Sequence, residues 1–465
     1  MVYIPLLFNK MKRGFLALFL FSLLGANTTS SHEGPIIGST EWVKNKVAAY
    51  PELNWLLDKA IEHTQIQEEQ KEIIPLSWSN KISGRYYPEF ERTMLSIVNL
   101  HLLYKGDDST YEHFITPQLA STDALIVKLS GESFKKLHNF TLSVIKDDLG
   151  LLTALEVILF LDDLGRTPIA HHNAKRYGVS EYDHHMFIQT CLKKCPQIFP
   201  SFLALPTSCQ DLIKSSAALL HFGHLSHIEG GPEILTKLKA SGILDNNPRG
   251  FDFQLLIYIC EMSAVYGHID NRGSKNLTEN VFQTVEAIQN TIHYLATHNE
   301  AETLEFYLAI RGKWLGLDNE NPNTRLLSRL GAMMRLLKPE DGEILADAYE
   351  EISEEHKKVI ESELDPGVYR EERTATYMPA VMANLYQAYG AQALFHPESL
   401  KKAIQKGTIF IAQFLNMYRN NKANLAYDPS IILNFNLVAR QVRTHPELIE
   451  KGHYLINEGG IITLN

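Results

Sequence analysis

Cysteine is scarce, four in 465 residues, which excludes a disulfide-built scaffold. Cys191, Cys195 and Cys209 lie near enough in sequence for one bridge or for buried thiols, and their spacing is not the paired Cys-x-x-Cys of a zinc ribbon. There is no excess of positive charge. A net charge of −10 argues against a non-specific nucleic-acid binder. Past residue 26 no long apolar run recurs, which excludes a polytopic membrane protein. A Gly-rich phosphate loop, a Gly-x-Ser-x-Gly elbow and a His-Glu-x-x-His pair are all missing. So are internal repeats, low-complexity tracts and alternating strand patterns closed by Asn-Gly or Asp-Gly turns.

What the chain does have begins with a leader. Met11, Lys12 and Arg13 precede an apolar stretch from Gly14 to Ala26, and polar residues follow. That order reads as a signal peptide over 1–26, better formed if Met11 starts the chain. The apolar stretch is short for a spanning helix, which needs roughly 20 residues. The expectation is a secreted or periplasmic protein, with no membrane attachment after cleavage.

Apolar residues at helical spacing dominate the rest, as in Phe90 to Leu103 and Leu151 to Leu161. The second is apolar almost all round and reads as a central buried helix. The fold class expected is all-α. The expected organisation is an N-terminal helical segment at 27–80, a helical domain at 81–330 and further helices at 331–465 packed on it. Loops are expected at 196–206, at 245–250 before a helix starting near Phe251, and at 270–275. Pro339 to Glu343 suits the first turn of a helix, where acids favour the dipole.

Acids and histidines recur through the middle of the chain. Asp162 and Asp163 end the most apolar helix, and Gly165 after them suits a left-handed C-cap. Two carboxylates there are costly unless a metal, Arg166 or a neighbouring histidine neutralises them, or unless they simply face solvent. His138 precedes Asp162 by 24 residues, a separation that lets an antiparallel helix pair bring the two together. His184 and His185 lie at a helix start. His221, His224 and His227 fan over one helical face. Glu261 sits in an apolar stretch seven residues before His268, on the same face, and needs a metal, a histidine or a structural hydrogen bond. Nitrogen and carboxylate ligands on successive helices are what a metal centre in a helical domain requires.

At these residues the sequence resembles the HD-domain superfamily of helical metal-dependent phosphohydrolases, over about 130–270. Its closest look-alike is the branch with His-Asp-x-Gly-Lys. The resemblance places His138 first, Asp162 and Asp163 at the His-Asp pair, Arg166 at the Lys and Glu261 last, with His185, His221 and His224 as inserted histidines. Asp162 stands where the family has histidine, and Glu261 where it has aspartate. The implied metal ligands are His138, Asp163, His185, His221, His224 and Glu261, holding one or two divalent ions (Mn, Mg or Fe). Asp162 would be the proton acceptor and Arg166 the phosphate holder. The implied activity is hydrolysis of a small phosphorylated molecule by metal-activated water. The same superfamily includes di-iron oxygenases. The rival reading is a non-catalytic helical protein that binds a protein partner.

Overall fold

The computed structural model describes residues 34–464 except 59–73, 122–126, 181–183, 218–227, 229–232, 247, 318–320, 365–376, 392–396, 421–432, 452 and 458–459. The leader and the His221, His224 and His227 face therefore lie outside the described residues.

The fold is all-α, and the described residues add one small hairpin. The first helices are α1 (Thr40–Ala49), α2 (Trp78–Ser83), α3 (Pro88–Lys105), α4 (Asp108–Leu119), α5 (Gly131–Ile145), α6 (Leu149–Leu164) and α7 (Pro168–Lys175). Next come α8 (His184–Lys194), α9 (Pro200–Leu203), α10 (Thr207–Ala217), α11 (Glu233–Ala240), α12 (Ile243–Asn246), α13 (Pro248–Ser263), α14 (Glu279–Leu295) and α15 (Glu300–Trp314). The remainder are α16 (Pro322–Met333), α17 (Pro339–Glu350), α18 (Glu354–Leu364), α19 (Met378–Ala391), α20 (Pro397–Asn420) and α21 (Asn436–Thr444). A hairpin of β1 (Tyr454–Ile456) and β2 (Ile462–Leu464) closes the chain. No helix among the described residues is long and apolar enough to cross a membrane.

Local chemistry explains many of the starts. Ser39, Asp107, Asp148 and Thr167 each cap the helix that follows them with a side-chain oxygen. Three further starts are capped from a distance. Glu91 of α3 accepts from the Trp78 and Ser79 amides of α2 at 3.2 and 2.7 Å. Glu52 accepts from the Ser201 amide of α9 at 2.7 Å, and Glu279 of α14 from the Ser130 amide before α5 at 2.8 Å. These carboxylates meet the partial positive charge of helix N-termini and lock helix to helix in one step.

Helix α6 is the axis of the first core. Leu151, Leu152, Leu155, Val157, Ile158, Leu159, Phe160 and Leu161 are all buried, and α3, α8, α10 and α13 pack around it. Each such side chain contributes roughly 2 kcal/mol of burial. The first core runs from Trp42 to Leu308 with Ala332 added, and the second from Leu315 to Leu464. Trp42, Leu53 and Trp78 belong to the first, so the segment before residue 81 is part of that body. The divide falls within and just after α15, where buried Arg311 donates to the Leu336 carbonyl at 3.3 Å and lies over the Trp314 ring.

The sequence differs from the structure in several local ways. Helix α13 begins at Pro248, so 245–250 holds helical turns, with proline at the first position where its missing N–H costs nothing. Residues 196–206 likewise contain a 3-10 turn at Pro196–Ile198 and α9. All four cysteines are buried thiols, none in a disulfide. The hairpin has strands of three residues each, too short to show an alternation. It is held by Gln441, whose side chain pairs with both the N–H and the C=O of Leu464 at 3.0 and 2.8 Å.

Candidate functional site

The end of α6, the first turns of α3 and the end of α13 meet in a cluster of acids and guanidiniums. Arg166 donates to Glu89 at 3.1 Å and to His184 Nε2 at 3.1 Å, and its Nε lies 4.0 Å from Asp163. Arg92 donates to the same Glu89 carboxylate at 2.6 Å. The Thr93 hydroxyl meets Asp163 Oδ2 and also the Glu89 carbonyl, 2.9 Å away. Asp162, Asp163 and Glu261 are near enough to act on one another electrostatically and on Arg166.

If every group ionised, four carboxylates would face two guanidiniums. Asp163 responds with a raised pKa, first through burial, against which Arg166 pulls down and Glu89 pushes up. Glu261 is raised well above the usual range by burial and then by Asp162 and Asp163. The residue as a whole is nonetheless exposed at the surface. Arg166 is likewise exposed, whereas Glu89 and Asp163 sit deeper.

Backbone chemistry sets the cluster. Gly165 is right-handed, with φ −59° and ψ −13°, not the left-handed cap its position suggests. A glycine is needed for a different reason: a Cβ there would meet the His184 carbonyl at 2.5 Å. That close approach brings the start of α8 over the end of α6. His171 adds a contact to the Gly165 carbonyl at 2.8 Å and packs on Phe187.

The structure brings together Asp162, Asp163, Arg166 and Glu261. It does not bring His138 to them. His138 Nδ1 lies 2.8 Å from the Leu103 carbonyl, near the far end of α3 from Thr93, about 15 Å along the helix axis. The α5–α6 reversal sits at Lys146 and Asp147, both with positive φ, so Asp162 overshoots the level of His138. The mismatch is six residues, about 9 Å. His138 as a metal ligand shared with Asp163 is corrected on that ground. His268 lies beyond the end of α13 and so does not share a helical face with Glu261. His185 belongs to α8, but its side chain lies outside the described residues, as do His221 and His224. Among the described residues no three His, Cys, Asp or Glu side chains form a group that could hold a metal ion.

Sequence reasoning missed Glu89, Arg92, Thr93 and the part played by His184. The available signal was Glu89 and Arg92, three apart at the start of a helix otherwise dominated by core positions.

The arrangement defines an all-α protein with a carboxylate–guanidinium cluster at the junction of three helices. A model for a family of unknown function (DUF6829) matches residues 48–454, most of the chain, and the chain belongs to that family. No curated protein matches it. No solved structure matches it either.

Proposed function

We propose that this chain is an exported, HD-like hydrolase of a small phosphorylated molecule, centred on Asp162, Asp163, Arg166 and Glu261. The observation that supports the reading is Asp163 and Glu261, both raised by burial and by neighbouring carboxylates, beside an exposed guanidinium. Arg166 presents a planar fork to a phosphoryl group. Glu261, whose pKa burial and the neighbouring Asp162 and Asp163 raise well above the usual carboxylate range, is placed to give its proton to the leaving oxygen. Asp162 accepts the proton of the attacking water.

The HD-like reading also expects one or two divalent ions, Mn, Mg or Fe. The described side chains do not supply three donors to one point. Such an ion would draw its further donors from His185, His221 and His224, whose side chains lie outside the described residues. A non-catalytic helical protein with a protein partner is the second reading, and the placement of His138 away from the cluster favours it.

The test is phosphate release by the mature chain from p-nitrophenyl phosphate and a panel of nucleoside and sugar monophosphates, in EDTA and with each ion added. Release that falls at least a hundredfold in both Arg166→Ala and Glu261→Gln is expected. Absence of release under every condition would remove the hydrolase reading and leave the binding protein.

A further inference from the structure

On another face of α3, the start of α1, helices α2 and α4 and the turn at Asn271 and Arg272 enclose an open cavity of about 910 Å³. Its walls are tied together without any ligand. Gln118, buried in α4, donates to the Ser274 and Leu277 carbonyls at 2.7 and 3.0 Å and accepts from the Leu129 amide at 2.8 Å. Gly273, with φ +149°, lies so close to α4 that a Cβ would meet the His113 and Phe114 carbonyls at 2.4 and 2.6 Å. Opposite, Glu91 binds Asn271 and the first amides of α2, and Trp78 Nε1 donates to the Gly38 carbonyl at 2.9 Å. A cavity with both walls fixed this way is preformed, and its volume is that of a small-molecule site.

The lining has two characters. Leu76 and Leu119 stand at the lips 57% and 58% exposed, and Trp78 and Ile115 continue the apolar surface inward. Lys81, Lys128 and Arg272 line the same space against a single acid, Glu112, in a chain of net charge −10. Arg272 is answered by Asp270 at 2.6 Å. Among the described residues neither Lys81 nor Lys128 has a carboxylate within ion-pair distance. Half-exposed leucines beside unanswered ammonium groups suit a ligand that is apolar at one end and negative at the other.

We infer that this cavity binds a small amphipathic anion, its apolar body against Leu76, Trp78, Ile115 and Leu119 and its charged head between Lys81 and Lys128. The site is independent of the carboxylate cluster and does not rest on the hydrolase reading.

The test is titration of the mature chain with 1-anilinonaphthalene-8-sulfonate, read by fluorescence, then displacement by dodecanoate and dodecyl phosphate below their micelle concentrations. One saturable site is expected, displaced at least tenfold less well by neutral dodecyl maltoside. Lys81→Glu with Lys128→Glu should weaken dye binding at least tenfold at unchanged Tm, and Leu119→Ser should weaken it as well. A preference for dodecyl phosphate or for dodecanoate names the head group. Equal binding by the double variant, equal displacement by the neutral amphiphile, or binding only to vesicles of anionic lipid would overturn the inference.

Discussion

The Thr93 hydroxyl lies in hydrogen-bond contact with Asp163 while it also reaches back to the Glu89 carbonyl, 2.9 Å away. A hydroxyl has one proton to give, and a carbonyl can only accept. If the Thr93 proton goes to the carbonyl, the contact with Asp163 is satisfied by a proton on the carboxyl. Burial and the nearby acids raise the Asp163 pKa in the same direction.

A carboxyl raised in this way favours the folded state fully below its unfolded pKa, near 3.9, and loses that contribution as pH climbs through the folded value. Asparagine mimics the protonated acid and does not titrate. In EDTA at pH 7, Asp163→Asn should therefore melt about 1–3 °C higher than the parent. At pH 4 the two should melt about together. Calorimetric scans at both pH values check this, and a lower Tm for the variant at pH 7 would show that the ionised form is the one the fold prefers.

Glu156 behaves in the opposite sense. It is buried in α6 and is met by Lys46, Tyr50 and His101. Burial alone would raise its pKa, but the His101 hydrogen bond and charge, with Lys46, outweigh this and hold it at about 2. The stabilisation is present above the ordinary value of 4.5 and is lost as pH falls from there through about 2. The depression corresponds to on the order of 3 kcal/mol. Glu156→Gln leaves the Lys46 ammonium and the His101 ring facing a neutral amide. Its urea midpoint should fall clearly at pH 6, and the gap to the parent should narrow by pH 3. An equal gap at both pH values would mean that the carboxylate charge is not what binds α1 to α6.

Much of this was legible from residue pattern. The period of α3 and the all-round apolarity of α6 announced an all-α body, because both follow from which positions must avoid water. Asp162, Asp163, Arg166 and Glu261 stood out because carboxylates beside apolar helix surface demand a partner. The partners themselves were not legible. Glu89 and Arg92 look like any solvated first turn, and only the crossing of α3 with α6 places them beside Asp163. His138 was misread because helix count and loop length give antiparallel neighbours but not their level. Gly165 was read as a backbone requirement, whereas its need comes from another helix.

His138 and Gly106 yield a test of that correction. Gly106 has φ +67°, and a Cβ there would meet the His138 ring at 2.0 Å. Gly106→Ala should cost about 2–4 kcal/mol, part from left-handed strain and part from the ring. Adding His138→Ala should restore the second part, so a double-mutant cycle should show coupling of about 1 kcal/mol or more. His138→Ala alone should leave any metal affinity and any phosphate release unchanged. A loss of metal binding in that variant would return His138 to the site.

Gly165→Ala isolates packing from backbone strain, since its φ of −59° is one that alanine adopts freely. The only obstacle is the His184 carbonyl at 2.5 Å, with the His184 Cβ at 3.0 Å. Both are rigid backbone-level atoms, so the start of α8 must retreat. That retreat takes His184 away from Arg166, which it now meets at 3.1 Å. The expected outcome is a loss of about 1–3 kcal/mol in stability and, on the proposed hydrolase reading, a higher KM for a phosphorylated substrate, because the guanidinium has lost its contact with His184. Gly165→Ser should act the same way, and His184→Ala should reproduce the KM change without the steric cost. If Gly165→Ala melts like the parent, the α6–α8 contact is not tight enough to position Arg166, and the guanidinium must be oriented by Glu89 and Asp163.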